Sequence, residues 1–111
     1  MIANRGEIAC RIIKTANKLR IPTIAIYSDI DRTSKHVSLA DESYYVGQNP
    51  SSQSYLNMDK IIEIAIQSNT TLIHPGFGFL SENKEFSKLC RDNDISFVGP
   101  SEYAINLMGS K

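Results

Sequence analysis

The residues that could do chemistry gather in "IHPGFGFLSEN" (73–83), which holds His74, the glycines Gly76 and Gly78 around Phe77, and Glu82. An imidazole could serve as a general base, two glycines could let a ligand approach the backbone, and a carboxylate could accept a hydrogen bond. No second titratable group stands at a diagnostic spacing from His74, so a structural hydrogen bond at a strand end is the favoured role for it. Pro75 stops a strand. Phe77, between two permissive residues, is expected at the loop tip, although a place in the domain's own core stays open. Ser81 is expected to cap the next helix. Glu82 would then fall in its first turn, where the helix dipole accounts for it. The stretch reads as one wall of a ligand cleft and not as a complete catalytic apparatus.

Two other stretches carry charge at suggestive places. "NRGE" (4–7) follows a strand and opens a helix, so its amides could hold an anion. Gly6 stands alone, however, without G-x-G-x-x-G, and no G-K-[ST] occurs. The favoured reading makes Gly6 a site of close helix packing and Arg5 a surface or interdomain charge. "SDIDR" (28–32) places Asp29 and Asp31 after the second strand, where an acid could bind a ribose. Without the glycine fingerprint, a solvated turn is favoured. His36 falls in a polar segment expected to be mobile. Arg11, Lys14 and Lys18 form a solvated helix face, with contact to a partner subunit as the alternative.

These residues need elements to position them, and the pattern alternates. "MIA" reads as the end of a buried strand, and residues 4–19 as a helix with Ile8, Ile12, Ala16 and Leu19 at helical spacing. "TIAIYS" is continuously apolar, as a strand covered on both faces must be. One helical turn is expected around Ser34 to Leu39, then a strand "SYYVG". Next come a helix at residues 58–69 capped by Asn57, a strand "TLIH", the helix after Ser81 with Phe86, Leu89 and Cys90 on its buried face, and a strand "ISFVG". A last helix is expected from Pro100 and Ser101 to a stop at Gly109. Strands alternating with helices at this spacing predict an α/β, Rossmann-like three-layer domain: a parallel sheet of about five strands flanked by helices. Ligands of such sheets bind outside the carboxyl ends of the strands.

Composition narrows the partners. The 111 residues suit one domain, 1–111, and the formal net charge is zero. Neither nucleic acid nor a membrane surface is an expected partner. No apolar run approaches the ~20 residues that span a bilayer, and no signal or transit peptide is visible. Cys10 and Cys90 read as buried free thiols in a reducing compartment.

"IANRGEIACRI", "SYLN", "HPGFGFLSEN", "FVGP" and "MGSK", in this order over the whole chain, resemble the N-terminal domain of biotin carboxylase. Similar sequences open the biotin-carrying subunits of methylcrotonyl-CoA and propionyl-CoA carboxylases, and acetyl-CoA and pyruvate carboxylases. The resemblance implies a pre-ATP-grasp domain of a ligase that uses ATP, Mg2+ or Mn2+ and bicarbonate to make carboxyphosphate, then carboxylates N1 of biotin. Lys111 matches a lysine that contacts ATP. Phe77 and Gly78 match the loop beside the biotin site, and Glu82 an acid near it. No catalytic residue and no metal ligand is carried over to this stretch of chain. Implied partners are the ATP-grasp domain of the same parent chain, the biotin carboxyl carrier domain and the carboxyltransferase subunit. The implied location is the mitochondrial matrix in a eukaryote and the cytoplasm in a bacterium.

Two positions depart from the family. Many relatives carry tyrosine in place of Phe77, and an acid is common where this chain has Lys18, on a helix that makes dimer contacts in bacterial relatives. The chain ends where the ATP-grasp region is expected to begin, so the fragment alone is expected to be inactive. The rival readings are a pre-ATP-grasp domain of another ligase, a receiver-like module and a dinucleotide-binding domain. The receiver lacks its acidic pair and strand-end aspartate, and the dinucleotide domain lacks its fingerprint.

Overall fold

The computed structural model describes residues 1–99. The expected helix after Pro100, its stop at Gly109, and Lys111 lie outside the described residues. The elements are α1 (Gly6–Lys18), β1 (Ile24–Ser28), a 3-10 turn (Asp29–Asp31), α2 (Lys35–Leu39) and β2 (Glu42–Gly47). After a second 3-10 turn (Ser51–Gln53) come α3 (Met58–Gln67), β3 (Leu72–Ile73), α4 (Lys84–Asp92) and β4 (Ser96–Phe97).

β1 pairs in parallel with β2 from Ile24↔Glu42 to Ser28↔Gly47, and β3 pairs in parallel with β4. The expected sheet is therefore seen as two two-stranded sheets. Ile2 makes isolated parallel bridges to both Ala25 and His74. The Ile2 amide donates to the Ile24 carbonyl and the Ala3 amide to the His74 carbonyl, each at 2.9 Å. The last two strands are shorter than "TLIH" and "ISFVG" suggest. Pro75 has no amide to continue β3, and the chain leaves β4 before the extended turn at Gly99.

Apolar side chains divide between two clusters, one on each side of this framework. Ile26 of β1 and Val46 of β2 pack with Ile61, Ile64 and Ala65 of α3 and Phe86 and Cys90 of α4. Ile2 packs with Ala9 and Ile13 of α1, and with Leu39 at the end of α2. Helices on both faces explain why β1 is apolar throughout: Ala25 and Ile26 point opposite ways and both are buried. The expected buried stripe of α1 is rotated. Ala9, Cys10 and Ile13 are buried, whereas Ile8 is partly exposed and Leu19 is two-thirds exposed. The helical period is as expected, but its phase follows the packing of Ala9 and Ile13 with Ile2.

α1, α3 and α4 end in the same way. Arg20, Asn69 and Asp94 each take φ +58°, one residue beyond the cap. Behind them the amides of Ile21, Thr70 and Ile95 reach back to the carbonyls of Ala16, Ala65 and Cys90 at 2.8–2.9 Å. This is the Schellman arrangement, here built without glycine. It sends each chain directly into the strand that follows. A left-handed backbone strains any residue with a Cβ, least so asparagine. Arg20→Gly should therefore stabilise the chain by about 0.5–1 kcal/mol, and Asn69→Gly by less. Urea denaturation monitored by circular dichroism measures both.

Candidate functional site

The loops that leave the carboxyl ends of the parallel strands converge, and one carboxylate joins them. Asp31 is 2% exposed. Its two oxygens accept from Arg5 Nε and Nη2, both at 2.6 Å, in a bidentate pair. Oδ2 also accepts from the Tyr55 hydroxyl at 2.7 Å and from Ser28 Oγ at 3.2 Å, and Oδ1 accepts from Ser34 Oγ at 3.2 Å. The Tyr55 hydroxyl accepts in turn from the Ser28 amide. This overturns one expectation, since "SDIDR" is no solvated turn at Asp31. Arg5 stands at the surface, as expected, and is paired within the domain. A planar fork is what a buried carboxylate needs, because it offers two aligned donors and neutralises the charge. The Arg5 guanidinium holds the Asp31 carboxyl well below the usual carboxylate range, aided by Tyr55 and Ser28 against the opposing effect of burial. Burial, with the hydrogen bond to Asp31, pushes the Tyr55 hydroxyl up to about 12.

Gly6 is placed by its backbone and not by close packing. Its φ is +66°, and nothing lies within 4 Å of where a Cβ would stand. His36 is not in a mobile polar segment. It is 1% exposed and its Nε2–H donates to the Ile26 carbonyl at 3.0 Å, tying α2 to β1. Polar neighbours in the sequence concealed a residue that faces inward from a short helix.

The loop after β3 is pinned from below. The side-chain amide of Asn4 donates to the carbonyls of Pro75, at 2.8 Å, and Phe77, at 2.7 Å. Its Oδ1 accepts from the Arg5 amide at 2.8 Å. Gly76 rests on it so closely that a Cβ there would stand 2.9 Å from both Asn4 Nδ2 and Ile8 Cγ2. His74 makes the expected structural hydrogen bond, its Nδ1 accepting from the Gly76 amide at 3.1 Å. Burial lowers its pKa, which keeps the ring neutral and able to accept. Gly76, Gly78 and Phe79 have φ of +67°, +69° and +44°. Phe79 packs on Tyr55 with ring centroids 5.3 Å apart, so this loop too reaches the Asp31 network.

Phe77 stands at the crest of the loop and is 80% exposed, which excludes a core role. No atom lies within 4 Å of a Cβ built on Gly78, so the approach to that position is open. Glu82 is exposed but does not sit in the first turn of α4. The cap is Asn83, whose side chain accepts from the Phe86 amide at 2.9 Å, and Ser81 instead closes a turn onto the Gly78 carbonyl. Both residues can cap, and the two-residue difference moves Glu82 ahead of the helix. Among the described residues, no cluster of three or more His, Cys, Asp or Glu side chains could hold a metal ion. A cavity of about 580 Å3 lies where the chain enters β1 and β3, among Leu19, Ile21, Thr23, Thr71 and Leu72, and extends to His74 at the root of the loop.

Asp31→Asn removes the charge that Arg5 and Tyr55 serve. Because Arg5 is partly exposed, the loss should be held to roughly 2–3 kcal/mol at neutral pH. The folded pKa of Asp31 is depressed, so its contribution is complete above the unfolded value, about 4, and is lost as pH falls through the folded value. The stability gap between the parent and Asp31→Asn chains should thus be constant at neutral pH and narrow below about pH 4. Urea titrations across that range test both the size and the sign.

The family model described as "Biotin carboxylase, N-terminal domain" matches residues 1–105. All 111 residues are 56% identical to a stretch of the mitochondrial methylcrotonoyl-CoA carboxylase subunit alpha of Mus musculus, and 55% identical to one of the mitochondrial propionyl-CoA carboxylase alpha chain of the same species. They cover 16% and 15% of those two relatives. Among solved structures, the biotin carboxylase domain dimer of the Hydrogenobacter thermophilus 2-oxoglutarate carboxylase, in complex with MgADP, ADP and bicarbonate, superposes with a TM-score of 0.92 and 48% identity. The match takes in 97% of this chain and 24% of that one. The same order of motifs, the same fold and a family match over nearly the whole length agree, and the chain belongs to the biotin carboxylase N-terminal domain family.

Proposed function

We propose that these residues are the N-terminal domain of a biotin-dependent carboxylase, forming one side of the cleft in which biotin is carboxylated at the expense of ATP. The observation that carries the reading is an exposed aromatic residue, Phe77, beside the open backbone of Gly78, on a loop backed by a buried network, in a chain of this family. A flat bicyclic ligand such as biotin fits that wall: Phe77 offers an apolar face and Gly78 leaves room for close approach. Glu82, exposed on the same loop, is the acid assigned to the biotin side. The reading places Lys111 against ATP phosphate, where a single ammonium supplies a charged contact. In the complete enzyme ATP, with Mg2+ or Mn2+, supplies the activation of bicarbonate, and biotin carries the carboxyl group. This stretch binds and shapes, and no proton-transfer role falls to it.

The parent chain supplies an ATP-grasp region and, in the same reading, works with a biotin carboxyl carrier domain and a carboxyltransferase subunit. The bridges at Ile2 support one continuous sheet of five strands in the parent, with residues 1–3 between β1 and β3. The mitochondrial names of the two mouse relatives support a matrix location for a eukaryotic parent.

Two outcomes test the assignments in the parent enzyme. Phe77→Ala should raise the KM for biotin more than that for ATP and leave the melting temperature nearly unchanged, since truncating an exposed ring opens no cavity. A core phenylalanine would cost about 3–5 kcal/mol. Steady-state kinetics alongside thermal melting separates the two. Lys111→Ala should weaken ATP binding by about 1.5–3 kcal/mol, measured by calorimetry, and an unchanged affinity removes Lys111 from the site.

A further inference from the structure

We infer that Asn4 is a positioning residue for the biotin-side loop, holding Phe77 and Gly78 where a ligand meets them; the inference rests on the reading of that loop just given. Asn4 is 2% exposed, and all its side-chain hydrogen-bonding capacity named above is spent between two loops. Both amide protons go to the 75–77 backbone, on Pro75 and Phe77, and the oxygen goes to the Arg5 amide. These are the carbonyls on either side of Gly76, so one side chain fixes the peptide planes that aim Phe77 outward. The loop needs such a hold. Three of its residues, Gly76, Gly78 and Phe79, have left-handed backbone, and one of them carries a side chain. The φ of Phe79 persists only where the surroundings impose it, and the two permissive glycines leave the backbone free to move unless it is held. Contacts of Phe77 itself cannot do so, because its ring is 80% exposed.

The fit is specific to asparagine. Aspartate is isosteric but would set carboxylate oxygens against two carbonyl oxygens. Glutamine would push the amide into Gly76, which is already in contact. The Arg5 amide that Asn4 accepts belongs to the residue paired with Asp31, so the hold on the loop is anchored in the buried ion pair.

The test uses the parent carboxylase with Asn4→Ala, and with Asn4→Ser as a milder variant whose polar side chain is too short to serve both carbonyls. Hydrogen–deuterium exchange is read on peptides spanning residues 73–83, and KM is measured for biotin and for ATP. Exchange in the loop should rise on the order of tenfold, the equivalent of one or two hydrogen bonds, with exchange in α3 unchanged. The KM for biotin should rise while that for ATP does not. The double variant Asn4→Ala with Phe77→Ala should be no worse for biotin than Phe77→Ala alone, because Asn4 acts through Phe77. If Asn4→Ala fails to fold, Asn4→Ser carries the same readouts. Unchanged loop exchange in a folded variant overturns the inference. So does a double variant whose effects simply add. If loop exchange rises but neither Asn4→Ala nor Phe77→Ala alters the KM for biotin, Asn4 holds the loop and it is the biotin assignment that falls.

Discussion

A buried carboxylate is the constraint around which the loops are arranged. Desolvating the charge of Asp31 costs several kcal/mol unless its oxygens find donors. The donors come from three of the connections around it: Arg5 from the first, Ser34 and the strand-end Ser28 from its own, and Tyr55 from the one after β2. None of these groups can move alone without leaving Asp31 short of a partner. Parallel strands bring their carboxyl ends to one edge, but they do not dictate how the connecting loops sit against each other. Here the charge does. Its cost makes the arrangement discriminating, since a loop displaced by an ångström or two strands an ion instead of merely loosening a contact.

The fourth loop joins this arrangement from two sides. Asn4 grips its backbone from beneath, and Phe79 stacks on the Tyr55 ring that serves Asp31. Phe79 stores strain in the loop and two glycines leave it pliable, and the rigid backing is what keeps it in place. Phe77 can then be held out in solvent, a position that hydrophobicity alone would not choose. Local rigidity below and exposure above are the two requirements of a binding wall, and the same few side chains provide both.

Much of this was legible in the sequence, for physical reasons that also mark the limit. Each helix that is longer than two turns announces itself by period, and Asn57 and the exposed Phe77 follow from local chemistry. What escaped was long-range. Arg5 and Asp31 are 26 residues apart, and Asn4 and Phe77 are 73 apart. No spacing rule links such pairs, and each alone looks like an ordinary loop residue. His36 was hidden because α2 is too short to show a periodic buried face. The cap of α4 was shifted because serine and asparagine compete for it within three positions, and only the turn from Ser81 to Gly78 decides. The phase of α1 depends on Ile2 and Leu39, which pack with Ala9 and Ile13 and come from other parts of the chain. The Schellman ends carry arginine, asparagine and aspartate in place of the glycine that would have signalled them.

The titratable groups support a division of labour between this domain and the rest of a carboxylase. General acid–base catalysis works best with a group poised near the operating pH. Four buried or half-buried groups here are driven away from it. Asp31 is held far below by Arg5, Tyr55 is pushed up to about 12 and Cys90 up to about 11 by burial, and burial lowers His74. Each shift strengthens a structural role: an anion that stays an anion, a phenol that stays a donor, an imidazole that stays an acceptor. A site that must exchange protons needs its pKa values brought toward neutrality, whereas a scaffold that must not change with protonation needs them moved apart. The pattern around these loops is of the second kind, which is what the proposed wall would require if it is to hold a ligand steady while other groups carry out the reaction.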